Sequence, residues 1–293
     1  MKLEDFYSES NDILGEPQLI EGIPFYPIKL FEQQKAANLQ MLFARDKIEF
    51  INNADMPFDG IKNIYKSSYL KSMLYGYSYN NVDNYYGVMQ LLQNYFIDTC
   101  HVDNNNNNGD GVVVIGNMNI VNPLDIFTSP LYIIIKMGTN ILKIDEDIFD
   151  VIRECVLKQN GISLKNIEGY NDDMEKIKLQ QNNSHKSMSF SDEIFAFIAI
   201  SGMDINSEGF KKYTLYQFKY HFGYLQQYID YKTLYPVQAS GMVKFKNNIK
   251  YYLEPLNFDK GRYDDLLIKA DDFAESGVAK SVDSFKIPDM KYK

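Results

Sequence analysis

Residues 131–161, LYIIIKMGTNILKIDEDIFDVIRECVLKQNG, predict a β-hairpin that runs directly into a helix. Two segments rich in β-forming residues flank residues 137–140 (MGTN), a short connection in which Gly138 can adopt the positive φ of a tight turn. Three consecutive isoleucines, Ile133 to Ile135, favour a strand that is covered on both faces. The stretch therefore predicts an antiparallel hairpin whose second strand leads into a helix.

The helix is expected to begin at Asp145, whose carboxylate can accept bonds from the free backbone N–H groups of the first turn. Glu146 and Asp147 follow at the positive end of the helix dipole, and Gly161 supplies the left-handed residue that ends the helix. The inward face is apolar and consists of Ile148, Val151, Ile152, Cys155 and Val156. The outward face is expected to consist of Arg153, Glu154 and Lys158.

The composition is that of a folded protein. The 293 residues are 45% hydrophobic and 24% charged, so the chain can bury a sizeable core in one large domain or two smaller ones. The formal net charge of −9 disfavours binding to nucleic acid or to an anionic membrane, because both would repel the chain.

Cysteine usage and hydropathy indicate a soluble intracellular protein. Cys100 and Cys155 are the only cysteines, and the helical pattern buries Cys155, which argues against a disulfide framework. The opening residues MKLEDFYSES have no apolar segment that would suit a signal peptide. No apolar run approaches the ~20 residues that a membrane-spanning helix needs.

The first region of the chain, residues 1–102, is predicted to be mostly helical. It opens with an early β-hairpin within residues 17–30, where prolines confine the strands to an edge. Helices are predicted over residues 31–44, 61–77 and 82–96, because apolar side chains recur there at helical spacing.

The middle of the chain is predicted to be a small β region between two polar loops. Residues 103–111 form an asparagine-rich loop, and residues 112–161 contain β-hairpins followed by the helix described above. One further hairpin is expected between residues 112–115 and 118–121, which would give four short strands. Residues 162–188 are polar, lack periodicity and are predicted to form an exposed loop.

Residues 189–277 are predicted to be a helical region with a short β-hairpin. A helix is predicted over residues 189–202, with Gly202 at its end and an inward apolar stripe of Phe190, Ile194, Phe197 and Ile198. A second helix follows, whose start, Thr214 with Gln217, matches a capping box and whose end is set by Pro236. The remaining elements are a strand pair within residues 241–252, a short helix at residues 264–274 and a loose tail at residues 278–293. The predicted fold class is α+β, predominantly α-helical with short antiparallel β-hairpins.

Two segments have donor atoms that could bind a metal. The first consists of Asp98, Cys100, His101 and Asp103, but no second cluster completes a tetrahedral set. The second is the loop at residues 104–115, which has the spacing of a calcium-binding EF-hand. It has asparagine in place of the first aspartate and Ile115 in place of the final glutamate, so a solvated linker is the favoured interpretation.

No catalytic motif occurs in the chain. A glycine-rich phosphate loop, a nucleophile elbow and the metalloprotease and kinase signatures are all absent, and His185 and His221 suit solvated or packed roles. Residues 211–232 interleave lysine with aromatic residues, as in a stacking platform for single-stranded nucleic acid, but their regular apolar step favours core packing. We therefore predict a non-enzymatic protein with no cofactor, no metal and no nucleic-acid partner.

Three passages resemble a family of tail assembly chaperones from long-tailed phages and prophages of low-GC Gram-positive bacteria. They are residues 22–28 (GIPFYPI), residues 149–162 and residues 240–245 (SGMVKF), the last of which follows a long aromatic helix. The resemblance lies in the order of these passages and in their residue sequences, and the passages are spread over most of the chain. None of them is a chemically specific motif.

The resemblance implies a phage protein that acts in the cytoplasm of the bacterial host, where it holds the aggregation-prone tape measure protein before the tail tube forms. Such a protein needs an apolar groove for an amphipathic helix, and it could also be a homo-oligomer. Candidate lining residues are Tyr85, Tyr86, Met89, Tyr216, Tyr220, Tyr224 and Tyr228, although half-buried helix packing is the favoured interpretation of each one taken singly. The alternatives are a structural tail or baseplate subunit of the virion, and a hydrolase or nuclease whose site is dispersed along the chain.

Overall fold

The computed structural model describes residues 2–52, 62, 64, 66–79, 81–103, 111–116, 120, 122–167, 174, 176–177, 189–241, 249 and 251–256. Helices predominate in these residues and surround two small antiparallel sheets, so the predicted α+β class is confirmed. The buried apolar side chains form one continuous core that extends from Ile20 to Phe218.

The described helices follow one another in chain order as α1 (Glu9–Leu14), α2 (Gln33–Leu42), α3 (Lys47–Asn52), α4 (Tyr69–Ser78), α5 (Val82–Cys100), α6 (Asp125–Thr128), α7 (Glu146–Gln159), α8 (Phe190–Ser201), α9 (Glu208–Lys211) and α10 (Leu215–Ala239). The strands are β1 (Gln18–Ile20), β2 (Ile23–Phe25), β3 (Val112–Gly116), β4 (Tyr132–Met137) and β5 (Asn140–Ile144). Single 3₁₀ turns occur at Leu3–Asp5 and Leu164–Asn166.

The first hairpin, β1 with β2, confirms the strand pair predicted within residues 17–30. Ile20 pairs with Ile23, and the two turn residues between them, Glu21 and Gly22, both have positive φ angles of 49° and 75°. Two positive φ angles give the turn a twist that matches the twist of the strands. The hairpin packs on α5, where the ring of Phe25 meets that of Phe96 edge to face.

The second sheet has the strand order β3-β4-β5. The predicted hairpin of β4 with β5 is confirmed, with Met137 paired to Asn140 across a two-residue turn. Strand β3 also forms, but it pairs with β4, where Val113 lies opposite Ile135. Most of its predicted hairpin partner, residues 118–121, lies outside the described residues.

Strand β4 is buried mainly on one face. Ile133 and Ile135 are buried, whereas Ile134 between them is half-exposed, so the prediction of full cover on both faces was wrong. Successive side chains of a strand point to opposite sides, and here the core lies on one side only.

Helix α7 has the termini that the sequence predicts. The Asp145 carboxylate accepts a bond of 3.0 Å from the Ile148 N–H. At the other end, Gly161 has a φ of 66°, and the N–H groups of Gly161 and Ile162 donate to the carbonyls of Lys158 and Leu157. This pair of bonds is a Schellman motif, which satisfies two carbonyls that the last turn leaves open.

The outward position predicted for Arg153 was wrong. Its side chain is only 6% exposed, and its Nε donates to the Phe43 carbonyl at 2.7 Å while Nη2 donates to the Arg45 carbonyl at 3.2 Å. The Phe43 carbonyl lies at the C-terminal end of α2, where helix carbonyls lack partners within the helix. The flank of α7 that carries Arg153 is therefore covered by α4 and by the end of α2.

The end predicted for the long aromatic helix was also wrong, because α10 continues past Pro236 to Ala239. A proline inside a helix removes one N–H donor and crowds the preceding turn. The helix continues because the following turn forms its own bond, from the Ser240 N–H to the Pro236 carbonyl at 3.0 Å.

The start of α10 is tied to the N-terminal region through the backbone. The Leu30 N–H donates to the Tyr213 carbonyl at 2.7 Å, and the Leu215 N–H donates to the Ile28 carbonyl at 3.0 Å. Helices α2, α5 and α8 agree with predicted helices to within a few residues. Helix α4 begins at Tyr69 and not at residue 61 as predicted, because Ser68 caps its first turn. Outside the described residues lie most of the predicted loops at 103–111 and 162–188, the strand pair within 241–252, and everything predicted beyond residue 256.

Candidate protein-interaction surface

Helix α10 begins with the capping box that the sequence predicts. The Thr214 hydroxyl accepts a bond of 3.2 Å from the Gln217 N–H, and the Gln217 side-chain oxygen accepts one of 3.0 Å from the Thr214 N–H. The first turns that follow are buried, with Phe218 only 1% exposed. Its ring packs edge to face against Phe190 and Phe197 of α8. The N-terminal end of α10 is therefore part of the core.

The second half of α10 projects away from the core and carries large exposed side chains. From Tyr224 onwards, none of its residues is fully buried. The exposed fractions are 37% for Tyr224, 43% for Tyr228, 39% for Leu234, 45% for Tyr235 and 38% for Val237. Rings that are apolar in the middle and polar at the tip suit contacts with another protein.

A second segment extends this exposed aromatic region, because residues 251–256 fold back along α10. The Gln227 side-chain amide donates to the carbonyls of Tyr251 and Glu254, at 2.7 and 3.1 Å. Gly223 allows the close approach, since a Cβ at this position would lie 2.8 Å from Leu256 Cδ1. The polar amide and the glycine together fix the segment on the helix.

Five tyrosine rings cluster where the two segments meet. Tyr231 is the centre, with ring centroids 4.8 Å from Tyr235, 5.3 Å from Tyr251 and 5.4 Å from Tyr252. Tyr228 packs edge to face on Tyr252 at 5.6 Å. We call the set formed by Tyr224, Tyr228, Tyr231, Tyr235, Tyr251 and Tyr252 the tyrosine surface.

Charges on this surface are sparse. Lys232 lies with its Nζ 5.6 Å from the centre of the Tyr228 ring, and Asp230 is exposed on the same helix. The hydrogen bond with Tyr252 raises the pKa of Tyr251, so this phenol stays neutral at physiological pH. The surface therefore presents aromatic faces and neutral hydroxyl groups to a partner, rather than a strong electrostatic field.

The structure divides the partner-binding residues predicted on α10 between the core and the surface. Tyr216 is buried and Tyr220 stacks on it at 4.3 Å, whereas Tyr224 and Tyr228 belong to the tyrosine surface. The four tyrosines are spaced by four residues, and each such step turns about 40° around a helix. Successive tyrosines therefore move from the buried side of α10 to its exposed side.

The residues predicted on α5 are divided in the same way. Tyr85 and Met89 are core residues, exposed by 0% and 3%, whereas Tyr86 is 38% exposed and its hydroxyl donates to the Ile120 carbonyl at 3.5 Å. A partner could therefore reach Tyr86 but not Tyr85 or Met89 in this conformation. Whether any of the seven residues binds a partner stays a prediction.

Tyr231, Tyr235, Tyr251 and Tyr252 were not among the residues predicted from the sequence. The first two could have been found, because Tyr224, Tyr228, Tyr231 and Tyr235 alternate steps of four and three residues and so stay on one side of a helix. Tyr251 and Tyr252 carry no such signal. Their place on the surface depends on the return of their segment to α10.

A further exposed apolar face lies on α8. Ile194 and Phe197 face the core as predicted, but Phe195 and Ile200 on the opposite side are exposed by 63% and 52%. Phe190, which was predicted to be inward, is 40% exposed although its edge touches Phe218. Helices that are apolar on both sides are usually covered by other protein.

The described cysteine and histidine side chains of the candidate metal and catalytic segments make packing and ring contacts. Cys100 is buried, burial raises the pKa of its thiol to about 12, and His101 stacks on Tyr26. His221 contacts the Tyr213 hydroxyl through Nδ1, and burial lowers its pKa. Within the described residues no group of three His, Cys, Asp or Glu side chains could hold a metal ion. The helices described include none that is long and apolar enough to cross a membrane.

The part of the chain that carries both exposed faces matches a known family. Residues 179–257 match the model of the YomV second domain. This family is phage-derived, from Bacillus prophage. The matched residues include α8, α10 and residues 251–256, and hence the whole tyrosine surface. No curated protein and no solved structure matches the chain.

Proposed function

We propose that this protein is a non-enzymatic phage tail assembly protein, a chaperone that holds the tape measure protein during tail morphogenesis. The observation that carries the proposal is the tyrosine surface, because it is large, exposed and neutral and lies within the segment that matches a phage-derived family. The sequence resemblance to tail assembly chaperones supports the same role.

The surface suits an amphipathic helix as its partner. Such a helix carries apolar side chains at steps of three and four residues, and Tyr224, Tyr228 and Tyr235 present rings at matching steps along α10. Each ring can bury its apolar body against the partner while its hydroxyl stays at the wet edge. Burial of a side chain of this size contributes about 2 kcal/mol of gross stabilisation.

The charge of the chain also suits a protein that holds an aggregation-prone partner. A formal net charge of −9 keeps the complex soluble while the apolar stripe of the partner is covered. We place this binding in the cytoplasm of the bacterial host, before the tail tube polymerises. It requires no nucleic acid, membrane, metal or cofactor.

A structural tail or baseplate subunit of the virion is the second candidate. The exposed face of α8 favours it, because Phe195 and Ile200 would suit a permanent contact between subunits, in a homo-oligomer or with a neighbouring tail protein. Mass spectrometry of purified particles separates the two candidates. A chaperone is absent from mature particles, whereas a subunit is present in stoichiometric amounts.

Co-expression with the large helical protein of the same phage genome tests the chaperone directly. We expect the partner to be soluble and to co-purify with this chain, and the triple variant Tyr224→Ser, Tyr228→Ser, Tyr235→Ser to lose it. Ile141→Ser is the matched control, because Ile141 is 59% exposed on β5, outside the matched residues. A partner that stays insoluble with the unaltered chain would remove the basis of the proposal.

Tyr86→Ser forms a separate arm, since Tyr86 belongs to the α5 half of the predicted binding residues and is about as exposed as Tyr224. Loss of the partner in this variant would extend the binding face to α5. Retention would confine it to the tyrosine surface.

A further inference from the structure

A cleft of about 250 Å³ lies away from the tyrosine surface, between three segments that are distant in sequence. It is lined by residues from 26–35, from 99–101 and from 212–214, together with Gly15. Its charged or titratable lining residues are Lys29, Glu32, Lys35, His101 and Lys212. Three lysines and one glutamate make this lining positive, although the whole chain carries −9.

Backbone hydrogen bonds fix the walls of the cleft. The Tyr26 N–H donates to the Thr99 carbonyl at 2.9 Å, which joins the wall formed by residues 26–35 to the wall formed by residues 99–101. Lys29 and Thr214 form an isolated β-bridge, which joins the wall of residues 26–35 to the wall of residues 212–214. The two lysines at this junction, Lys29 and Lys212, are therefore held on fixed backbone rather than on independent loops.

Among the described residues that line the cleft, Glu32 is the one carboxylate, and it is already engaged. Glu32 accepts a bond of 2.8 Å from Lys35 Nζ and one of 2.9 Å from the Lys29 N–H. Burial would raise the pKa of Glu32, but these bonds and the two lysine charges outweigh it and lower the pKa. Within the part of the chain that the structure describes, neither Lys29 nor Lys212 has a carboxylate within ion-pair distance.

His101 supplies an aromatic wall. Its ring stacks on that of Tyr26, with centroids 4.0 Å apart and planes 13° apart, and its backbone adopts a φ of 53° that non-glycine residues rarely show. Burial lowers the pKa of His101, and the charges of Lys35 and Lys29 lower it further. The imidazole is therefore neutral at pH 7 and can donate a hydrogen bond to an anion.

We propose that this cleft binds a phosphate group, either as free phosphate or as the phosphate of a nucleoside monophosphate. A phosphate monoester carries a charge of about −1.5 to −2 at neutral pH, which the positive charges of Lys29 and Lys212 would balance. The volume of the cleft leaves room for a group attached to the phosphate, beside the Tyr26 and His101 rings. This site is independent of the tyrosine surface and of the proposed chaperone function.

Titration of the purified full-length chain tests the proposal, with inorganic phosphate in one arm and adenosine monophosphate in another, at fixed low salt. Isothermal calorimetry or amide NMR shifts would report the binding. We expect Lys29→Gln and Lys212→Gln each to weaken it about tenfold, because each removes a charge-assisted hydrogen bond. Both lysines are exposed, so circular dichroism should be unchanged.

Lys211→Gln is the matched control. Lys211 is the sequence neighbour of Lys212 but pairs with Glu208 at 2.8 Å and does not line the cleft, so its variant should bind as the unaltered chain does. Adenosine monophosphate that binds at least about tenfold tighter than inorganic phosphate would identify the monoester as the ligand, and equal affinities would identify free phosphate.

Two results would overturn the proposal. One is the absence of any heat or shift with either ligand up to about 10 mM, since useful sites bind more tightly than this. The other is an equal loss of affinity in Lys211→Gln and Lys212→Gln, which would mean that binding depends only on the overall charge of the chain.

Discussion

The guanidinium of Arg153 lies over the ring of Tyr69, with its carbon 3.6 Å from the ring centroid. The same side chain donates to the Phe43 and Arg45 carbonyls, so one residue of α7 joins α4 to the end of α2. A planar group with several N–H donors can satisfy two carbonyls while its face rests on a ring.

We expect Arg153→Met to lower the free energy of unfolding by about 3 kcal/mol, because the buried Phe43 carbonyl and the part-buried Arg45 carbonyl lose their donors and the cation–π contact disappears. Arg153→Lys should recover only part of this loss, since an ammonium cannot reach both carbonyls in the same geometry. Urea unfolding followed by circular dichroism measures both variants. A Met variant as stable as the unaltered chain would restore the prediction of an exposed Arg153.

Thr214 is expected to stabilise α10 through its hydroxyl. Thr214→Ala should cost about 1 kcal/mol of unfolding free energy, because the Gln217 N–H loses its acceptor at the first turn. Thr214→Ser keeps the acceptor and should cost much less. If the serine and alanine variants were equally unstable in the same urea experiment, the lost methyl group rather than the cap would be the cause.

Lys219 gives the stability a dependence on pH in the alkaline range. Its Nζ donates to the Asn160 and Gly161 carbonyls, and burial lowers its pKa from 10.5 to about 8. Below pH 8 the folded chain bears the full cost of a buried cation, and above 10.5 the amine is neutral in both states. The contribution of Lys219 to stability should therefore rise by about 3 kcal/mol from pH 8 to 10.5.

The variant Lys219→Met isolates this effect, because other groups titrate equally in both proteins. We expect the difference in unfolding free energy between the unaltered chain and this variant to move in favour of the unaltered chain as the pH rises. The exposed Lys165 provides the control, and Lys165→Met should show a constant difference. A constant difference for Lys219→Met as well would contradict the buried cation.

Two helical glycines make a matched pair. A Cβ at Gly87 of α5 would meet nothing within 4 Å, so Gly87→Ala should stabilise the chain by about 1 kcal/mol through helix propensity alone. A Cβ at Gly223 would lie 2.8 Å from Leu256 Cδ1, so Gly223→Ala must push that side chain away and should gain less or lose stability. Thermal unfolding compares the two variants.

The Gly223→Ala variant should also loosen residues 251–256 from α10 and change the environment of Tyr251 and Tyr252. Near-ultraviolet circular dichroism of the tyrosines should report this change, whereas Gly87→Ala should leave the signal as it is. Identical spectra for both variants would mean that Leu256 adjusts without moving its segment.

The sequence predicted those elements whose signals lie within a few residues of one another. Asp145, Ser189 and Thr214 each cap a helix with their own side chain, and Gly161 and Gly202 end helices in the left-handed region. The hairpins at β1–β2 and β4–β5 have turns of two residues. Such bonds close short loops, so the local residue types are sufficient to specify them.

Pairings between distant segments could not be predicted in the same way. A helical pattern shows that α5 and α7 have an apolar face, but it does not show which flank a neighbouring helix will cover. Arg153 is buried and Tyr86 is exposed for this reason, and the pairing of β3 with β4 likewise joins residues that are far apart in the sequence.

By itself, then, the sequence determined the fold class, the helix caps and the tight hairpins of this protein, because hydrogen bonds between near neighbours decide them. Only the tertiary structure decided which tyrosines form a surface and which lysines meet in a cleft. Tyr231 meets Tyr251 across twenty residues, and Lys29 meets the strand-like segment before α10 across most of the chain. Those contacts depend on how whole elements pack, and the packing of elements has no local signal.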